Sequence, residues 1–219
     1  MGQYNGLLYH HEQVMRKILL LCITIILLTA LGRQNASGDQ LRDGDIIFQT
    51  SRSAQSIAIQ KATHSKYSHM GIIFFRDGSP YVYEAVSTVQ YTPLKKWIAR
   101  GEGGHHVVKR LRDADRILTP EAVAKLVRAA KHYEGKPYDL TFAWSDDYIY
   151  CSELVWKIYY TGLGMQVGRL QKLREFDLAD PTVKAKMRER YGNKVPFDET
   201  VVSPSAIFSS ETLVEVARR

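Results

Sequence analysis

The 219 residues, less any export segment, suffice for one ordinary domain and leave little for a second. Apolar residues at 45% and charged residues at 24% are ordinary for a folded soluble domain, which excludes a disordered chain and a wholly membranous one. A formal charge of +7 favours an anionic partner, yet no aromatic-interleaved basic stripe or zinc-finger spacing accompanies it, so nucleic-acid binding is not expected.

In chain order, the first feature is the apolar run from Ile18 to Leu31, behind Arg16 and Lys17 and ahead of a small-residue stretch ending at Gly38. That is the layout of a secretory signal. The run is shorter than the ~20 residues a spanning helix prefers. Residues 1–38 therefore read as a tail and signal peptide, cut after Gly32 or Gly38, and residues 39–219 as one exported domain, periplasmic or extracellular. At most a transient association with the membrane is expected.

Asp45 to Phe48 reads as a short strand, and Ser51 to Ala62 as a short helix. Two β-rich runs follow, Ser68 to Phe75 and Pro80 to Val86, with Asp77-Gly78 between them, a hairpin signal. His105 to Leu111 is a third strand of the expected sheet. Thr119-Pro120 opens a helix whose apolar positions Val123, Leu126, Val127 and Ala130 repeat at i, i+3, i+4, i+7. Gly135-Lys136-Pro137-Tyr138 closes that segment, and a further helix runs from Cys151 to Gly162 or Gly164. The charged remainder includes Lys184 to Arg190, read as a solvated helix face, and Ser203-Pro204, another helix start.

Cleavage would remove Cys22 and leave Cys151 as the one cysteine, in a compartment that oxidises thiols. Taken alone, it reads as a small buried hydrophobe. Its position in the first turn of a helix adds unpaired N–H groups and the positive end of the helix dipole, which favour a thiolate and an oxyanion beside it. A nucleophile of this kind needs a base and a group that orients the base. If the hairpin turn holds an even number of residues, paired positions sum to a constant, and His69 falls opposite Val86 and diagonal to Glu84 on one face; an odd turn puts Glu84 on the other face. Individually, His69 reads as a structural histidine and Glu84 as a solvent-facing carboxylate. A metal site at His64, His69, His105 or His106 is not expected, because no pair has helical i, i+4 spacing and no Cys-x-x-Cys accompanies them.

The blocks Asp45-Ile46-Ile47-Phe48, Tyr67-Ser68-His69-Met70-Gly71-Ile72, Tyr83-Glu84-Ala85 and Tyr150-Cys151-Ser152-Glu153-Leu154-Val155 resemble the motifs of NlpC-type papain-like cysteine peptidases. Histidine precedes cysteine here, as in the circularly permuted branch that includes the YiiX-like proteins. The resemblance implies an α+β permuted papain-like fold, an antiparallel sheet or partial barrel packed against helices, with the catalytic cysteine at a helix N-terminus. It further implies Cys151 as nucleophile, His69 as base, Glu84 as the residue orienting the histidine, and Tyr67 and Tyr138 as lining the site. Many unpermuted members carry histidine where Glu84 stands. No cofactor is implied. The expected substrate is a peptide or amide, with cell-wall peptide the family's example. Two rival readings stay open: an acyltransferase or lipid-ester hydrolase, which an apolar pocket would favour, and an inert papain-like binding protein. No oligomeric state follows from the sequence.

Overall fold

A computed structural model describes residues 40–219, of which Leu41–Arg219 form one unit. The apolar run read as an export signal lies outside the described residues. Six strands make one antiparallel sheet: β1 (Ile46–Ser51), β2 (His69–Arg76), β3 (Ser79–Ala85), β4 (Val89–Pro93), β5 (Gly101–Leu111) and β8 (Leu213–Arg218), in the order β4-β3-β2-β1-β5-β8. A two-residue ladder between β6 (Gln171–Lys172) and β7 (Thr200–Val201) stands apart from it. The large sheet is open, with β4 and β8 as its edges.

Strand alternation divides the core. Ile46, Phe48, Met70, Ile72 and Tyr83 pack with the helices α4 (Pro120–Lys131) and α5 (Cys151–Leu163). Ile47, Ile73, Val82 and Val108 pack on the other face around Trp97 of α2 (Leu94–Arg100). Ahead of β1, Asp45 is wholly buried and grips Arg110 of β5 with two contacts, 2.6 and 2.8 Å. Burial pushes the Asp45 carboxyl up although Arg110 faces it, so the pair fastens β1 to β5 at the cost of desolvation.

The helices start as the sequence predicts. Thr119 caps α4 through the Ala122 N–H, Ser203 caps α7 (Pro204–Phe208) through the Ala206 N–H, and both are followed by proline. One reading of a helix face is corrected. On α4 the buried residues are Leu126, Ala129 and Ala130, continuing to Tyr133, while Val127 is exposed, because the face toward α5 is turned from the simple apolar count. On α5 every residue from Cys151 to Tyr159 is buried, since the sheet, α4 and the C-terminal segment surround it. The first helix, α1 (Ser56–Thr63), is shorter than the 51–62 span expected. The short α3 (Ala114–Ile117) leads into α4, and α6 (Pro181–Tyr191) crosses near α1.

Candidate active site

The β2–β3 hairpin fixes the first half of the site. Its turn is the two residues Asp77-Gly78, both at positive φ (49° and 73°), as a tight hairpin turn requires. The even turn gives the register Ile72 opposite Tyr83 and Arg76 opposite Ser79, whose numbers sum to the same constant used above. Glu84 therefore shares a face with His69, and the His69 Nε2–H donates to Glu84 Oε2 at 2.6 Å. Gly71 lies between them along that face. A Cβ there would stand 2.5 Å from Val82 Cγ1 and 2.6 Å from the Tyr83 carbonyl oxygen, so the missing side chain is what lets the two strands and the two polar groups approach.

Glu84 is fully buried, yet it is not alone. The Thr92 hydroxyl on β4 donates to its other oxygen at 2.5 Å, and the Arg100 guanidinium at the end of α2 donates to the same atom. Burial works to raise the Glu84 carboxyl, but His69, Thr92 and Arg100 outweigh it and hold it below the usual range. The buried Trp97 ring stacks beside His69, with centroids 5.9 Å apart. Arg100, Thr92 and Trp97 were not anticipated. Leu94, Trp97 and Ile98 carry the i, i+3, i+4 spacing that would have shown α2.

The second half comes from α5. The Tyr150 hydroxyl accepts the Val202 N–H (3.0 Å) and the Ser152 hydroxyl donates to the Val202 carbonyl (2.8 Å), seating the helix N-terminus. Cys151, 3% exposed, lies within hydrogen-bond reach of His69. With Nε2 committed to Glu84, Nδ1 is the ring nitrogen left for the sulfur. Burial disfavours a charged His69, but the bonds to Cys151 and Glu84 outweigh it and push the imidazole up to about 9. The structure thus brings Cys151, His69 and Glu84 together.

The two tyrosines separate. The Gly135–Tyr138 segment docks on the β3–β4 connection, Gly135 N–H to Val89 O at 2.9 Å and Tyr138 N–H to Ser87 O at 3.1 Å. This carries Tyr138 beside Cys151, where burial first and the nearby sulfur second push its hydroxyl well above the usual value. Tyr67 instead stacks on Phe208 (4.2 Å) and meets Phe48 edge-on. It lines neither of the two cavities that Cys151 and His69 border, so it is a packing residue in place of the lining residue expected. The Lys184 to Arg190 run is also corrected. Met187 and Arg190 turn toward Cys151's cavity, and Arg190 donates to Gln55 Oε1 (2.6 Å), whose amide donates to the Tyr138 hydroxyl (3.2 Å).

Comparison with known proteins agrees with this geometry. Residues 40–217 match the family described as permuted papain-like amidase enzyme, YaeF/YiiX, C92. The uncharacterized protein YiiX of Escherichia coli (strain K12) is 54% identical over 194 residues, 89% of this chain and 95% of that one. The crystal structure of the metalloprotein YiiX from Escherichia coli O157:H7 is 57% identical, covering 82% of this chain and 98% of its own, with a TM-score of 0.79. The permuted order of histidine and cysteine, the sheet and the matched span lead to one conclusion: this chain is a papain-like cysteine hydrolase and belongs to the C92 family of permuted papain-like amidases.

Proposed function

We propose that the chain hydrolyses an amide bond through a Cys151 acyl-enzyme, with His69 carrying the proton and Glu84 orienting the imidazole. The observation that carries this reading is the chain of contacts Cys151–His69–Glu84, with the sulfur in the first turn of α5. His69 is cationic at neutral pH, and an imidazolium beside a thiol favours the thiolate. His69 has therefore already served as base before substrate arrives. The sulfur attacks the amide carbonyl, a C–S bond forms, and the oxyanion is met by free N–H groups of the helix N-terminus and by the Tyr138 hydroxyl. Collapse breaks the C–N bond while the imidazolium gives its proton to the leaving nitrogen. Neutral His69 then takes a proton from water, whose oxygen attacks the thioester; the acid leaves and the ion pair is restored.

The finer reading is an exported enzyme acting on a cell-wall peptide. It is supported by the basic pair and apolar run at residues 16–31 and by the +7 charge, which suits an anionic polymer. The relative named a metalloprotein raises a metal as an alternative, but the described residues contain no cluster of three or more His, Cys, Asp or Glu side chains placed to hold one. No step above runs through a metal. The second reading, acyl transfer or lipid-ester hydrolysis, is favoured by one observation, the apolar wall around Cys151.

The test is the alkylation rate of Cys151 by iodoacetamide against pH, in wild type and His69→Ala. Fast labelling at neutral pH, lost in His69→Ala, is expected. Cys151→Ala should abolish turnover of any substrate found. Slow labelling indifferent to His69 would return Cys151 to the role of a buried hydrophobe.

A further inference from the structure

A guanidinium can only donate hydrogen bonds, and this sets the direction of a chain of three side chains that ends at the site. Gln55, at the start of α1, lies between Arg190 of α6 and Tyr138. Arg190 Nη2 donates to the Gln55 side-chain oxygen at 2.6 Å. The amide oxygen must therefore face Arg190, and the NH2 group must face Tyr138, to whose hydroxyl it donates at 3.2 Å. Tyr138 is the acceptor of that bond, so its own proton points elsewhere, and among the described residues none accepts it. Arg190 is held in turn. Its guanidinium stands 5.0 Å over the Phe142 ring, which meets Tyr150, the residue before Cys151, edge-on.

Tyr138 lines both the cavity that Cys151 borders and the cleft that His69 borders, the place where a carbonyl attacked by the sulfur must sit. Burial first and the sulfur second keep its hydroxyl protonated, so it can donate to an oxyanion without giving up the proton. A tyrosine hydroxyl is a rotor that can donate or accept. Left free, it can meet the developing oxyanion with a lone pair; fixed beforehand, it meets it with a proton and needs no reorganisation. We infer that Gln55 and Arg190 are positioning residues of the reaction, which hold the Tyr138 hydroxyl with its proton turned away from Gln55 and toward the oxyanion. This rests on the catalytic reading above and adds to it two residues that act through Tyr138.

The experiment compares two reagents on the full chain carrying Cys22→Ser, in which Cys151 is the one thiol. Iodoacetamide alkylates the sulfur by displacing iodide from a saturated carbon, with no oxyanion. 4-Nitrophenyl acetate passes through a tetrahedral oxyanion: the C–S bond forms, the C–O bond breaks, 4-nitrophenolate leaves, and water later releases acetate. The ratio of the acylation rate to the alkylation rate reads oxyanion stabilisation with the reactivity of the thiolate divided out. Tyr138→Phe should lower this ratio about a hundredfold, the loss of one such donor. Gln55→Glu keeps the shape and the bond to Arg190, but its carboxylate has no N–H and draws the Tyr138 proton to itself, so the ratio should fall about tenfold or more. Added to Tyr138→Phe, the same substitution should lower it no further. Arg190→Met frees the Gln55 amide to turn round and should cost about twofold or more, which Arg190→Lys should recover. If Gln55→Glu does not fold, the two Arg190 variants carry the test. A ratio unmoved by Gln55→Glu, or lowered equally with and without the Tyr138 hydroxyl, would overturn the positioning role while fast iodoacetamide labelling left the catalytic reading standing. Slow labelling of the unsubstituted Cys151 site with no burst from the ester would overturn both.

Discussion

Two pressures act on the His69 imidazole: burial against its charge, and the bonds to Cys151 and then Glu84 in favour of it, with the balance at about 9. The proposed route needs that proton on the ring when the amine departs, so turnover should fall as pH rises through about 9, well above the ordinary histidine value of about 6.5. Glu84→Gln keeps an acceptor for the Nε2–H but removes the negative charge. It should lose about tenfold in kcat/KM at neutral pH, the difference between a charge-assisted and a neutral hydrogen bond, and its alkaline limb should move to lower pH. A pH–rate profile of both proteins decides this; a limb unmoved by the substitution would show that Glu84 does not set the charge of His69. Cys151 at a helix start, and His69 and Glu84 on one face if the turn is even, were readable from the chain, because a helix start and strand alternation are local properties; their roles came from the family resemblance. Thr92 and Arg100, which also hold Glu84, were not readable, because their contact depends on β4 pairing with β3 and on α2 folding back over the sheet.

At the scale of elements, the β2–β3 hairpin is the part that local sequence determines most fully, and Gly71 shows how narrow its tolerance is. Any Cβ at that position meets a backbone oxygen at 2.6 Å as well as Val82, and backbone in the middle of a ladder cannot step aside as a flexible side-chain end would. Gly71→Ala should therefore cost about 1–3 kcal/mol of stability, in the range of an overpacked core, and should separate Glu84 from His69. Urea unfolding measures the first effect, and the iodoacetamide rate of Cys151 in the folded variant measures the second. An unchanged unfolding midpoint would mean that β2 and β3 can part without loss. The helices were less legible than the hairpin. For α6, a run rich in lysine and arginine conceals an inward edge, Val183, Met187 and Arg190, since long cationic side chains can cover apolar surface and keep their heads in water.

In the whole molecule, the site is assembled from two distant parts of the chain, strands β2 and β3 for the base and its holder and helix α5 for the nucleophile. Pairing of β1 with β5, and of β5 with β8, completes the sheet between sequence-distant segments, which no local pattern announces. The C-terminal strand read as a charged tail because Glu215 and Arg218 sit on an edge, where charge is tolerated and blunts further pairing. The proposed export belongs to the same scale. The unit that carries the site begins at Leu41, just past Gly38, so a cut after Gly32 or Gly38 would leave every residue of the site in the mature chain and would remove Cys22. Expressed in a bacterial host, the protein recovered from the envelope fraction should have an intact mass beginning at residue 33 or 39 and should take up one equivalent of thiol label after unfolding. Replacing Arg16 and Lys17 with glutamate should hold the chain in the cytoplasm with two labelled thiols, because the positive flank is what orients a signal for export. An envelope form that still carries residues 18–31 would mean that the apolar run anchors the enzyme instead of being removed, and a wild-type chain confined to the cytoplasm would sink export and the cell-wall substrate with it.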